Sequence, residues 1–257
     1  MVEVFHEKGH DVKAVPLKKA TSDDIGATDI LGIGTPCFSS QAPTPVKEFL
    51  RGLPALDSRR AFVFATSGGA PGRVLYDLTR LLKDKGAEVI GGFLTRGKLS
   101  HPAPCIVGRM PDRPNEDDLA EARRFASAIA EHDLTHGAGP VAGSRPDAFR
   151  PGFGFYDLAA MMSSDGFLRT VLPKPKLDTV RCTQCGWCAL ECPMDNVTLN
   201  PYPVLGKRCI RCYRCLTGCP QNAFTADWRF GNVAVWSLYN TVFERWFGDL
   251  KPGEKIY

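Results

Sequence analysis

Eight of the ten cysteines in this 257-residue chain fall into two runs of the same spacing. The first is Cys182, Cys185, Cys188 and Cys192, followed by Pro193; the second is Cys209, Cys212, Cys215 and Cys219, followed by Pro220. Each reads C-x2-C-x2-C-x3-C-P. Three thiolates two residues apart can wrap a short loop around one face of an iron–sulfur cube, each on a different iron. The proline behind the fourth cysteine stops a helix and redirects the chain. Zinc is the competing use of C-x2-C pairs, and disulfides are the other use of many cysteines. Zinc takes four ligands, so paired knuckles would leave Cys188 and Cys215 idle. The spacing therefore points to two [4Fe-4S] clusters and to one-electron chemistry at low potential.

The runs are an internal repeat. Every cysteine of the first has its counterpart 27 positions on, as do Pro193 with Pro220 and Val197 with Phe224. The pattern resembles the bacterial two-cluster ferredoxins, where the fourth cysteine of each run serves the other cluster. That resemblance implies Cys182, Cys185, Cys188 and Cys219 for one cluster and Cys209, Cys212, Cys215 and Cys192 for the other. Such crossing ties the halves together, so losing one cluster should unfold the pair.

The rest of the chain supplies the elements. Residues 1 to about 131 alternate in the α/β manner. A helix tail ends at Gly9 and a strand is expected over Asp11–Leu17. Further strands are expected at Asp29–Pro36, Arg60–Thr66 and Ala87–Leu94. Helices are expected from Thr44 to Arg51, from the turn Ser67–Pro71 to Lys85 with Gly86 as cap, and from Pro114 to Glu131, where acidic residues meet the positive helix end. Thr135–Gly154, with five glycines and three prolines, reads as a linker. A short helix at Tyr156–Ser164 follows. Beyond the cysteines, Trp236, Tyr239, Phe243, Trp246 and Phe247 recur at helical spacing. The organisation reads as 1–132, a linker with a short helix over 133–172, a cysteine domain over 173–227, and a C-terminal aromatic helix and tail over 228–257.

The first part resembles a flavodoxin-like domain, and the whole chain is similar to the flavodoxin–ferredoxin fusion proteins. The resemblance rests on Gly34-Thr-Pro-Cys-Phe38 after one strand and Thr66-Ser-Gly-Gly-Ala-Pro-Gly72 after the next. Both lie at carboxyl ends of strands, where a doubly wound sheet places its ligand. It implies an α/β flavodoxin-like doubly wound parallel sheet plus a small α+β two-cluster ferredoxin domain. It further implies FMN held by Thr35, Pro36, Phe38, Thr66, Gly68 and Gly69, with Phe38 over a ring face. Without the family, such loops are ordinary structural turns. The sheet departs from the family in lacking its first strand and the phosphate-cradling loop after it. Both are expected upstream of Met1, as from a gene start placed too late, and without them the sheet would expose two unpaired edges.

Bulk properties exclude other classes. No apolar run approaches a membrane span and no signal peptide opens the chain; ten cysteines would suggest disulfides in a secreted protein, but their metal spacing argues for a reducing cytoplasm. The formal charge of +4 sits entirely with the cysteines: residues 1–173 carry 21 basic and 21 acidic side chains, and 174–257 carry 11 and 7. Two anionic clusters would cancel that surplus, so nucleic acid is not an expected partner. Lys207, Arg208, Arg211 and Arg214 read either as a solvated face or as cations that raise one cluster's potential. Cys37 and Cys105 read as buried or idle thiols, and His6, His10, His101, His132 and His136 as surface histidines. The aromatic helix is expected to pack within the chain, with a homo-oligomer or partner interface next and a membrane surface weaker. The function expected is electron transfer between FMN and a redox partner protein. The alternatives are a flavin-dependent reductase fed by the clusters and a cofactor-free docking module.

Overall fold

The computed structural model describes residues 1–26, 28–69, 71–134, 141 and 162–238. The linker apart from Val141, the helix expected at Tyr156–Ser164 up to residue 161, and Tyr239, Phe243, Trp246 and Phe247 lie outside the described residues. The described chain forms two units. One is Met1–Lys98 with the described part of Met110–Pro151; the other is Leu99–Arg109 with the described part of Gly152–Arg245.

In the first unit, β1 (Ile30–Pro36), β2 (Arg60–Ser67) and β3 (Glu88–Arg96) form a parallel sheet in that order. Alternation along β2 builds two cores, because successive side chains leave a strand on opposite faces. Ala61, Val63 and Ala65 enter the core that includes Leu50 of α3 (Thr44–Gly52) and Leu75, Leu78 and Leu82 of α4 (Val74–Lys83). Phe62 enters the other, with Phe5 of α1 (Val2–Glu7) and Ala126 and Ile129 of α5 (Glu116–Leu134), and Phe64 packs against it. Helices thus cover both faces, the α/β class expected. Each fully buried leucine contributes roughly 1.5–3 kcal/mol. Gly32 and Gly34 on β1 are needed where they stand. Their strand neighbours Phe62 and Phe64 lean over them, so that an added Cβ would come within 2.4 and 2.1 Å of the rings.

The first unit departs from expectation at Asp11–Leu17, which forms no strand and leads into a 3-10 turn at Leu17–Lys19. Among the described strands β1 pairs with β2 alone, so its outer edge is open, yet this segment does not take it; Pro16 within it has no N–H to give to a ladder. A short helix, α2 (Ser22–Gly26), which the sequence does not announce, follows it. The other boundaries fall close to expectation. Gly9 (φ 86°) and Gly86 (φ 83°) end their helices in the left-handed conformation that glycine adopts freely. At the start of α5, Asn115 and Asp118 cap each other: the Asp118 N–H donates to Asn115 Oδ1 (3.1 Å) and the Asn115 N–H to Asp118 Oδ2 (2.9 Å).

The second unit is built of short pieces around the cysteines. It contains α6 (Asp165–Val171), β4 (Lys176–Leu177), α7 (Trp187–Leu190), β5 (Val197–Leu199), β6 (Pro203–Leu205), α8 (Arg214–Thr217), β7 (Phe224–Thr225) and α9 (Trp228–Leu238). Strand β4 pairs antiparallel with β7, and β5 with β6. Ser164 caps α6, its hydroxyl accepting the Phe167 N–H at 3.3 Å. The described part of α9 leaves Phe230, Val233 and Trp236 exposed. Among the described residues no helix is long and apolar enough to cross a membrane.

Candidate metal centre

The cysteine repeat is repeated in the backbone. Gln184 and Gly186 take left-handed φ values of 57° and 75°, and Arg211 and Tyr213, 27 positions on, take 60° and 58°. Asp195 (45°) and Asn222 (48°) form a third such pair. These turns curl each run into a loop, after which a four-residue helix begins at equivalent places, Trp187 in α7 and Arg214 in α8. The fourth cysteines are treated alike too. The Asn196 N–H points at Cys192 Sγ and the Ala223 N–H at Cys219 Sγ, each at 3.4 Å.

The folded loops gather the eight sulfurs into two groups. One pocket is lined by Cys182, Cys185, Cys188 and Cys219 with Thr183, Gly186, Trp187 and Gln221. The second is lined by Cys192, Cys209, Cys212 and Cys215 with Met194, Ile210 and Tyr213. Each group therefore takes three cysteines from one run and the fourth from the other.

Among the described residues, no three His, Cys, Asp or Glu side chains converge as a single metal ion requires. A cubane makes a different demand, because each thiolate takes its own corner iron and four sulfurs stand around a space. Four cysteines with apolar walls and N–H groups on sulfur fit that demand. Burial pushes the Cys188 and Cys212 thiols up, and pushes Cys215 up to about 12, with the sulfurs of Cys212 and Cys209 adding to it. These three thiols are held protonated at neutral pH, so a metal bound by them would have to displace their protons.

The two halves meet through α7 and α8 at equivalent positions. Trp187 lies over Gly218, where an added Cβ would come within 1.9 Å of the indole. The counterpart contact is ionic: Arg214 reaches Glu191, with Nε to Oε2 at 2.9 Å, and its guanidinium sits 5.8 Å from the centre of the Trp187 ring. Arg214 thus lines the second pocket while pairing with a carboxylate.

Tyr213 anchors a second layer that the sequence reading missed. Its hydroxyl donates to the Pro173 carbonyl at 2.7 Å, and its ring lies 5.2 Å from His101 and 4.9 Å from Trp228. His101 is therefore no surface histidine. Burial pushes its pKa down to about 4, and its Nδ1 accepts the Ala103 N–H at 3.2 Å. The N–H of Cys105, from the same segment, donates to Asn232 Oδ1 at 2.8 Å. His136 lies outside the described residues.

In the first unit, the expected ligand loops lie at the carboxyl ends of the strands, where Pro36 pairs with Thr66 and the Cys37 N–H donates to the Thr66 carbonyl at 2.7 Å. Their polar groups are largely turned inward. Thr35 is buried with its hydroxyl on the Pro36 carbonyl (3.2 Å), and the Phe38 N–H donates to the Gln41 carbonyl (3.0 Å). The Gly69 N–H points at Ser67 Oγ (3.3 Å), whose hydroxyl donates to the Gly69 carbonyl (2.9 Å). Thr66 is exposed and Gly68 half-buried. Behind the loops is a buried network that the sequence did not flag: Arg73 donates to Gln41 Oε1 (2.9 Å), Lys47 to the same oxygen (2.7 Å), and the Ala42 N–H to Asp77 (3.2 Å). Its only advance sign is the Arg73–Asp77 spacing of one helical turn. Burial raises the Asp77 carboxyl despite Arg73 and Lys47, and pushes the Cys37 thiol up to about 12. The Thr35 hydroxyl and the Phe38 and Gly69 amides are thus engaged within the loops, while the Phe38 side chain is half-buried and Thr66 exposed at the same strand ends.

No family model matches the chain. An uncharacterised protein of Methanocaldococcus jannaschii is 27% identical over 119 residues, which is 45% of this chain and 79% of that protein. Among solved structures, a flavodoxin from the domain Archaea aligns with a TM-score of 0.41 and 16% identity, over 52% of this chain and 85% of the flavodoxin. The flavodiiron core of Flv1 from Synechocystis sp. PCC6803 gives the same score, identity and share of this chain, and 31% of its own. The α/β class of the first unit rests on its own parallel sheet, not on these scores.

Proposed function

We propose that the chain is an iron–sulfur electron-transfer protein whose eight clustered cysteines hold two [4Fe-4S] clusters, in the manner of a two-cluster ferredoxin. The observation that carries the reading is the division of the eight sulfurs into two pockets of four, each with its fourth cysteine from the opposite run. When bound, the clusters supply one-electron transfer at potentials set by burial, charge and hydrogen bonds to sulfur. The chain's own part is to hold thiolates, through the left-handed turns at 184, 186, 211 and 213, and to place the Asn196 and Ala223 amides on ligand sulfurs. The counterpart is a redox partner protein that gives or takes single electrons.

Purification without oxygen tests the proposal. About eight irons and eight sulfides per chain are expected, with a brown absorption that dithionite bleaches. Replacing Cys215 with Ser should lower the iron content, whereas Cys37→Ser should leave it unchanged. A colourless protein, or one holding zinc, would overturn the reading.

A second reading concerns the first unit, as a docking part without flavin. The hydrogen bonds that the Thr35 hydroxyl and the Phe38 and Gly69 amides already make within their own loops favour it over FMN relay or a flavin-dependent reductase. Extraction of the same anaerobic sample separates these: flavin at one per chain supports relay or reductase, and none supports docking.

A further inference from the structure

The repeat makes the two pockets directly comparable, and at three equivalent positions they differ in one direction. Where the first pocket has Thr183, the second has Ile210; Gly186 corresponds to Tyr213; and Gln221 corresponds to Met194. Thr183 and Gln221 are exposed, and Cys185 is the exposed member of the eight ligand candidates. Ile210, Tyr213 and Met194 are 3%, 1% and 6% exposed. Nothing in the loop geometry demands this difference, because the backbones repeat. Tyr213 holds the same left-handed turn as Gly186 although glycine is the residue suited to it. The strain of a side chain there is offset by a ring packed on His101 and Trp228 with its hydroxyl on Pro173.

We infer that the two pockets differ in access: the pocket of Cys182, Cys185, Cys188 and Cys219 opens at Cys185, Thr183 and Gln221 and is the port that a one-electron partner protein approaches, and the other, whose cysteines are each half-buried behind Ile210, Tyr213 and Met194, is the more enclosed. The inference rests on the cluster reading above. Exchange at the port moves single electrons, the partner losing what the unit gains, with no bond made or broken. The more enclosed site then exchanges electrons with the partner chiefly through the open one.

The test uses the full, cluster-loaded protein and a neutral gadolinium chelate as a water-borne relaxation agent. The strongly shifted proton resonances of the ligand cysteines report how near the agent comes to each. Broadening of the Cys185 signals several-fold greater than of the Cys212 and Cys215 signals is expected. The double variant Thr183→Ile with Gln221→Met copies the more enclosed pocket at two exposed positions, and should bring the Cys185 broadening down towards that of Cys212. Equal broadening of both sets in a protein carrying its full iron would overturn the access inference and leave the cluster reading standing. A sample without iron or shifted resonances would overturn both.

Discussion

Acidifying the protein from about pH 8 to about pH 5 challenges the layer around His101. The imidazole stands edge-on to Tyr213 and Trp228, 5.2 and 5.4 Å between ring centres, and its Nδ1 accepts the N–H of the buried Ala103. Nε2 therefore carries the ring hydrogen, and a second proton on Nδ1 would break the Ala103 bond and charge a ring sealed among aromatics. Burial holds the pKa at about 4 against an ordinary 6.5. The folded protein thus binds this proton less tightly than the unfolded chain does. The stability linked to it is complete above about pH 6.5, and is lost as pH falls through that value towards 4. Linkage over that window gives a loss of about 2 kcal/mol at pH 5 and about 3 kcal/mol in the acid limit. Urea denaturation of the wild type and of His101→Phe at both pH values isolates the contribution. The variant cannot titrate here, so its stability should fall by about 2 kcal/mol less than that of the wild type. It starts lower at pH 8, by about 1–3 kcal/mol, because the Ala103 N–H loses its acceptor. An imidazole carbon-bound proton resonance titrating with a midpoint near 6.5, or equal acid losses in the two proteins, would refute the reasoning.

Three further outcomes follow from particular contacts. Gly218→Ala drives a methyl group into the Trp187 indole, 1.9 Å from its nearest carbon, and should cost about 1–3 kcal/mol in denaturation while quenching or shifting Trp187 fluorescence. Asp118→Ala removes the carboxylate that caps α5 at Asn115 and receives Arg113 Nη1 at 2.8 Å on both oxygens; with Asp118 6% exposed, a loss of about 2–4 kcal/mol is expected in the same assay. Cys37, its thiol pushed up to about 12, should resist iodoacetamide at pH 8 in the folded protein and react on unfolding; labelling at the rate of a free thiol would contradict the burial that raises it.

What could be read from the sequence was what local pattern dictates. The alternation of Ala61, Phe62, Val63, Phe64 and Ala65 marks a strand buried on both faces, and the acidic start of α5 marks a helix N-terminus. The cysteine spacing was legible at once because three ligands on one loop need short, fixed intervals. Asp11–Leu17 departed for a physical reason: its alternation suggests a strand, but Pro16 removes a ladder donor, and a short run with a proline does not hold even an open sheet edge. Leu99–Arg109 was illegible for another. Its place in the second unit depends on Cys105 meeting Asn232 and His101 meeting Tyr213, contacts over more than a hundred residues that no window of sequence contains. His101 was misread for that same reason, since a lone histidine carries no sign of the aromatics that bury it.

The repeat shows what a duplicated motif fixes and what it leaves free. Equivalent positions join the halves at two places, Trp187 with Gly218 and Arg214 with Glu191. One contact is made by an aromatic ring against bare backbone and the other by an ion pair whose arginine is largely exposed. The two differ in energetic character. An exposed ion pair is worth about 1 kcal/mol or less and weakens with salt, whereas the indole excludes water from backbone and is insensitive to it. On the proposed cluster reading the cysteines cannot vary in this way, because each sulfur would have to reach an iron. The backbone turns cannot vary either, because they aim the sulfurs. Variation is confined to the side chains that decide what the two pockets see, and there the chain has placed threonine, glycine and glutamine on one side and isoleucine, tyrosine and methionine on the other.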